Sequence, residues 1–435
     1  MFYIIERQEQ LQHLGLFKDC FVKFIQQNDN YHPKLSPLSL VYIRDITQHK
    51  GYILCINHSE SFSLTQNSVI EWLLNNTDKL FVLNKKEVMY HFPHPNKLYD
   101  ISFMEINFKK EINLNNLTTT CHTFYYNKFT GKDNVNALIP ISKHYEESEK
   151  IFDVVIPLIK QYRLNNAVYE FNNGPLTQTF YEIESQGIKI DKQCFIDSYG
   201  DNLKYPQFNI SKSRIYSQYN LYTTTGRPSN TCNTINFAAL DKNNGERLCY
   251  RPANDMFVSY DIQGYHPRLV GEMIGFDFGN KNTYDVLSEL LDVPPQEAKE
   301  LTFKQLYGGV WSEYRNKPFF KGIITLTDDI WDTYQYGKYY ETENRIFYLD
   351  KNMTQSKLLN YIIQSKETTT NVKMLVNILD YLKDKQTKLV LYIYDELLFD
   401  YSKEDGQQLL IDIKDMINYP INIKQGKSYH SLKKI

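Results

Sequence analysis

Two apolar runs, far apart in the chain, each end on an aspartate. VSYD (258–261) and YIYDE (392–396) both place a carboxylate immediately after a stretch rich in Val, Ile, Leu and Tyr. Such stretches read as strands, over Phe257–Asp261 and Lys388–Tyr394. If the two strands are neighbours, Asp261 and Asp395 can share divalent cations. Hard carboxylate oxygens suit Mg²⁺, which takes one or two protein carboxylates and leaves its other positions to water and substrate phosphates. Two such ions can stabilise the attacking and leaving oxygens of an in-line phosphoryl displacement. Strand-end acids are also common as plain solvated groups, so the pair gains meaning only from what surrounds it.

Between them lies AKELTFKQLYGGV (298–310), with Lys299, Phe303 and Tyr307 at intervals of four. On a helix these three share one face. A cation followed by two aromatics suits a triphosphate and a base, although an ordinary amphipathic helix has the same spacing. Pro294–Tyr307 is the expected helix, with proline at its favoured first turn. Upstream, YTTTGRPSN (222–230) sets Arg227 between Gly226 and Pro228, a rigid turn whose guanidinium suits phosphate contacts.

The remaining chain divides by character. Three strand-like runs come early, at Cys20–Gln26, Ser39–Ile46 and Gly51–His58, the last two reading as a hairpin. Helical spacing follows near Gln66–Asn76 and Tyr145–Tyr162. This is an α/β domain over residues 1–165. In YEIESQGIKID (181–191), Gly187 reads as a helix stop. Thr354–Leu382 contains helix.

Bulk properties restrict little. The net charge is −2, from 49 basic and 51 acidic residues. That neither demands nor excludes nucleic acid, because lysines can concentrate in one cleft. The six cysteines, at 20, 55, 121, 194, 232 and 249, form no CxxC pair. They fit buried thiols in a reducing cytoplasm and argue against a zinc site. No apolar run is long enough to span a membrane, and the N-terminus lacks the pattern of a signal peptide.

Taken in order, these segments resemble the motifs of family A DNA polymerases. YTTTGRPSN is similar to the family's T-x-T-G-R-L-S, and NTIN (233–236) to its N-L-Q-N. SYDIQGYHPRL (259–269) resembles the palm motif D-Y-S-Q-I-E-L-R, and AKELTFKQLYGG (298–309) the fingers motif K-x3-F-G-x2-Y-G. NYIIQSKETT (360–369) resembles N-A-P-I-Q-G-T-A-A-D, and YDELLFD (394–400) resembles H-D-E-L-V-F-E. IESQGIKID (183–191) resembles the segment that opens the polymerase domain, and GKSYHS (426–431) the terminal G-x-x-W. The resemblance spans roughly 180–435, and its ordered succession is far more specific than any one motif.

The resemblance implies a compact DNA-directed DNA polymerase of phage or viral type, acting in the cytoplasm, in that case of an infected bacterial host. It implies a right-hand polymerase domain at 166–435, behind a 3'–5' exonuclease-like (RNase H-like) domain at 1–165. Within the hand, a reduced thumb covers 166–220, the palm 221–275 and 370–435, and the fingers 276–369. Asp261 and Asp395, with Glu396 beside them, would hold two Mg²⁺ ions, Mn²⁺ being able to substitute. Lys299 would bind the triphosphate, with protonation of pyrophosphate as a second role. Phe303, Tyr307 and His266 would meet the incoming deoxynucleoside triphosphate. Arg227, Arg251, Arg268, Asn360, Gln364 and Tyr394 would contact primer–template DNA. A processivity factor is a further partner the family admits.

Four departures stand out. Pro295 occupies the place of an arginine four residues before the motif lysine, leaving Lys304 or Arg315 as substitutes. His266 replaces the palm glutamate that excludes a ribose 2'-hydroxyl, which implies weak ribose discrimination. Tyr394 replaces a histidine. Only about thirty residues separate Asp191 from Thr223, where relatives insert a long thumb. In the N-terminal domain the acidic D-x-E of the first strand reads FIQQN (24–28), with Asp100 and Glu149 as candidate remnants, so no proofreading is expected. Two other readings stay open: a single-subunit RNA polymerase or primase, and a non-catalytic nucleic-acid-binding relative.

Overall fold

Beta-branched and aromatic residues crowd the N-terminal stretches expected as strands, and each becomes one. The computed structural model describes residues 3–48, 50–108, 120–161, 166–199, 213–231, 235–240 and 246–435. Among these, residues up to Tyr181 form one compact unit and those from Glu182 onward a second. The break falls later than residue 165, inside the helix Thr177–Gln186. The reason is packing: Tyr181 still lies against the first unit's core, its ring 4.8 Å from that of Tyr90.

The first unit carries a six-stranded sheet of β1 (Tyr3–Ile5), β2 (Asp19–Gln26), β3 (Leu38–Asp45), β4 (Gly51–Cys55), β5 (Lys79–Val82) and β6 (Leu98–Asp100), in the order β1-β4-β3-β2-β5-β6. Strands β2, β3 and β4 form an antiparallel meander, while β5 and β6 run parallel to β2. Helices α1 (Gln66–Asn76) and α2 (Ile141–Gln161) belong to the same unit. Its core gathers Val22, Val41, Leu54, Trp72, Leu80 and Phe92. Each such side chain stabilises the fold by roughly 1.5–3 kcal/mol before entropy is subtracted. The spans expected for β2, β3, β4 and α1 hold to within a few residues, and α2 begins earlier than expected. Strands β1, β5 and β6 are too short to have announced themselves.

The second unit is organised by an antiparallel sheet of β7 (Met256–Ile262), β8 (Lys388–Ile393), β9 (Glu396–Tyr401), β10 (Ile421–Gly426) and β11 (Lys433–Lys434), in the order β8-β9-β7-β10-β11. The central strand β7 buries Phe257, Val258 and Tyr260. After β7 the chain turns sharply at Gly264, whose φ of 58° and whose closeness to Thr283, 2.6 Å from an added Cβ, leave room for no other residue. Helix α3 (Tyr265–Ile274) starts there, followed by α4 (Thr283–Leu291), α5 (Pro295–Gly308), α6 (Pro318–Gly337), α7 (Gln355–Tyr381) and α8 (Gln408–Met416).

Helix α7 runs 27 residues, about 40 Å at 1.5 Å per residue, and is capped by the Thr354 side chain. With α4, α5 and α6 it closes a core of Leu287, Leu306, Phe319, Phe320, Leu359 and Ile362. The short hairpin Tyr339–Glu341/Ile346–Tyr348, unforeseen, lies between α6 and α7. The helix stop at Gly187 is as expected, with φ 61°. Asn233 and Thr234 of the NTIN segment, and residues 200–212 of the expected reduced thumb, lie outside the described residues. No described helix is long and apolar enough to cross a membrane.

Candidate active site

Strand β9 pairs with β7 so that Glu396 stands opposite Asp261. Strands β8 and β9 are joined by only Tyr394 and Asp395, and Ile393 pairs with Glu396 across the turn. So tight a turn needs a positive φ, and Tyr394 supplies it at 59°. A non-glycine residue there costs about 1–2 kcal/mol. Three contacts hold it: Asn371 Nδ2 donates to the Tyr394 carbonyl at 3.1 Å, Ile262 N donates to the Asp395 carbonyl at 2.9 Å, and the Arg227 guanidinium lies 3.6 Å over the Tyr394 ring. The turn thereby aims Asp395 at the same recess as Asp261.

Crowding by surrounding protein, with the nearby charges of Glu367 and Asp261, pushes Asp395 up to about 6, even though the residue is solvent-exposed. Asp261 accepts a hydrogen bond from Lys424 Nζ at 2.9 Å. Burial works against the Lys424 charge, yet the bond to Asp261 and the charges of Glu396 and Asp395 raise its pKa overall. Lys424 thus contacts Asp261 directly and feels Glu396 and Asp395 only through their charges. Glu396 also accepts from the Ser259 hydroxyl at 2.7 Å.

The donor set fits a hard divalent ion held at Asp261 and Asp395, with Glu396 as a neighbour already occupied on one oxygen. Among the described residues, no group of three or more His, Cys, Asp or Glu side chains is placed to hold a metal ion. An all-protein cage is not what Mg²⁺ in a phosphate-transferring site uses.

Helix α5 presents Lys299, Phe303 and Tyr307 as the spacing predicts. The rings of Phe303 and Tyr307 stack at 5.7 Å and 19°, while Ala298, Thr302, Gln305 and Leu306 bury the opposite face. The Lys299 ammonium is exposed and lies 5.6 Å from the Tyr284 ring. Burial and the charges of Asp395 and Asp261 push the Tyr284 hydroxyl up to about 12. Tyr284, on α4, is therefore near the lysine and feels the charges of both carboxylates.

His266, on the first turn of α3, bonds through Nδ1 with the Tyr307 hydroxyl and through Nε2 with Glu367 Oε2 at 3.0 Å. Glu367 is wholly buried on α7 and also faces Arg227, with Nε 2.7 Å from Oε2 and Nη2 donating to Oε1 at 3.0 Å. Asn360 and Gln364 lie one turn apart on α7 and bond to each other at 3.0 Å. Continued at helical spacing, their stripe reaches Glu367 and Asn371.

Two expected DNA contacts have other occupations. Arg268 donates to the carbonyls of Gln263, Gly279 and Lys281, binding the loop before α4 to α3. Arg227 is engaged with Glu367 and Tyr394 as described. Arg251 is half-exposed on a short strand, 4.0 Å from Asp191. Glu367, Tyr284 and Lys424 are the site residues that the motifs did not single out. Only Glu367 had a sequence signal, the stripe through Asn360 and Gln364.

No protein-family model matches the chain, and no curated protein does. Among solved structures, it is similar to the POL domain of Pol1 from M. smegmatis, determined in complex with DNA primer-template and dNTP, at a TM-score of 0.67 and 14% identity, covering 99% of each chain. Pol1 is a family A DNA polymerase. The likeness establishes a shared fold over essentially the full length, in agreement with the family resemblance carried by the motifs.

Proposed function

We propose that this chain, which shares the fold of a family A DNA polymerase, is itself a DNA-directed DNA polymerase that extends a primer 3' end with deoxynucleotides. The observation that carries the reading is the convergence of Asp261 and Asp395 beside a helix that presents Lys299, Phe303 and Tyr307 on one face. Neither element alone would specify this chemistry. Together they provide an anionic recess for metal-bound phosphates, a cation for the triphosphate tail and an aromatic surface for the base.

Bound at Asp261 and Asp395, Mg²⁺ or Mn²⁺ would supply charge stabilisation to the attacking and leaving oxygens of the transferred phosphoryl group. The chain's own residues do the rest. Asp261 and Asp395 fix where that charge sits. Lys299 neutralises the triphosphate and is exposed enough to follow it. Phe303 and Tyr307 stack on the sugar and base, and His266 braces the Tyr307 hydroxyl. Asn360 and Gln364 line the primer–template, and Arg251 is free enough to join them. Thus primer–template DNA and deoxynucleoside triphosphates are the proposed partners.

The first unit is proposed to be an exonuclease-like domain without activity. Its meander followed by two parallel strands suits the RNase H-like arrangement. At the end of β2 stand the buried amides Gln26 and Asn28 in place of carboxylates. Asp100 accepts from the backbone amides of Lys85 and Ser102 at 2.8 and 2.9 Å. Glu149 is tied to Arg44 and accepts from the Tyr42 hydroxyl at 2.6 Å. Neither acid is free to join a two-metal site.

A primer-extension assay with deoxynucleotides and ribonucleotides tests the reading. Templated addition of deoxynucleotides supports it. A preference for ribonucleotides or for de novo starts would favour an RNA polymerase or primase, and duplex binding without extension a non-catalytic relative.

A further inference from the structure

Glu367 has no solvent exposure, and a carboxylate in that position is tolerable only when paired and hydrogen-bonded. Its partners come from two other parts of the second unit. Arg227 reaches it from the Gly226–Pro228 turn, and His266 Nε2 from α3 at 3.0 Å. In the neutral imidazole, with Nε2 donating to the carboxylate, the other ring nitrogen is an acceptor, and the Tyr307 hydroxyl then donates to Nδ1. The chain Tyr307–His266–Glu367 therefore links helices α5, α3 and α7 through side chains alone. A second arm runs from Glu367 through Arg227, which covers Tyr394, the residue that aims Asp395.

We infer that Glu367 is a positioning residue for the site: through His266 it fixes the Tyr307 hydroxyl and with it the Phe303–Tyr307 face of α5, and through Arg227 it steadies the Asp395 turn. Glu367 touches no reacting atom, and nothing in the motifs assigns it a part. One buried carboxylate thus sets the spacing between the nucleotide-facing helix and the metal-binding acids. Arg227 pairs with the carboxylate through two guanidinium nitrogens. The kinetic half of this inference rests on the polymerase reading; the docking of α5 does not.

The test compares Glu367→Gln, Tyr307→Phe and their combination in the full chain. Two readouts are used: amide hydrogen exchange over residues 303–308 in the free protein, and KM against kcat for a single deoxynucleotide. Each single variant is expected to speed exchange and raise KM by on the order of tenfold, the size of one buried hydrogen bond, with kcat changed less. The combination should add little to either, because both break the same chain. Additive effects, or unchanged exchange and KM in a folded Glu367→Gln protein, would overturn the inference. If Glu367→Gln does not fold, Tyr307→Phe and His266→Leu decide, since both leave the Arg227–Glu367 pair in place; unchanged exchange in both overturns it. A wild-type chain that extends no primer would sink the proposed function and leave the exchange result standing on its own.

Discussion

Lys424 Nζ lies 2.9 Å from Asp261 Oδ2, so one of the two acids proposed to bind metal already holds a cation supplied by the chain itself. Strand register sets this up: Lys424 faces Ser259 across β7 and β10, diagonally beside Asp261. The ammonium competes with an incoming ion for Oδ2 of Asp261. Lys424→Ala is therefore expected to tighten Mn²⁺ binding several-fold, in line with a partly exposed ion pair worth less than about 1 kcal/mol. Calorimetric titration of the free protein checks this. Weaker Mn²⁺ binding in the variant would show that Lys424 supports the metal site instead of competing with it.

Lys299→Ala should raise the KM for deoxynucleotides by about tenfold or more and leave primer–template affinity unchanged. The side chain is exposed on α5, near Tyr284, where the proposed function puts a nucleotide's phosphates. Fluorescence anisotropy of labelled duplex, alongside single-nucleotide kinetics, separates the two quantities. Lost duplex binding with a normal KM would place this helix elsewhere in the reaction.

The raised Asp395 pKa makes two linked statements about pH. In the native state this group moves from 3.8 to about 6, chiefly through burial and then through Glu367 and Asp261. The folded chain thus holds the proton more tightly than the unfolded one. This group's contribution to stability is greatest below its unfolded pKa and declines as pH rises through about 6. Ligation needs the ionised form, so the affinity of the free protein for Mn²⁺ should rise over that same interval and then level off. Without divalent ions, wild type should lose melting temperature relative to Asp395→Asn as pH climbs from about 4 to 7. Parallel melting profiles would assign the titration to another group.

Mismatched primer ends should persist. Gln26 and Asn28 cannot ligate metal as carboxylates do, and Asp100 is fully engaged with backbone amides. Incubating a mismatched duplex with the Asp261→Ala protein isolates any activity of the first unit. Steady shortening of the mismatched strand in that variant would contradict the assignment.

Much of this site was legible because its elements are local. The apolar runs into Asp261 and Asp395, the four-residue spacing of Lys299, Phe303 and Tyr307, and the stop at Gly187 are each written within a dozen residues. What the sequence concealed is long-range. The pairing of Lys424 with Asp261 depends on the register of β7 against β10. The role of Glu367 depends on α3, α5 and α7 meeting, which the helical stripe through Asn360 and Gln364 does not disclose. Arg268 shows the opposite case: a guanidinium that reads as a ligand contact is fully used by three backbone carbonyls. Strands β5 and β6 were missed because runs of three or four residues carry too little alternation to register.

The central claim is that Asp261 and Asp395 together support templated nucleotide addition. The most direct measurement is single-turnover incorporation of the templated deoxynucleotide with Mg²⁺, comparing wild type with Asp261→Ala and Asp395→Ala, folding being verified by circular dichroism. The account predicts templated addition by wild type and a loss of at least about a thousandfold in each variant, as expected when charge stabilisation in the transferring step is removed. Wild-type rates in either folded variant would contradict it.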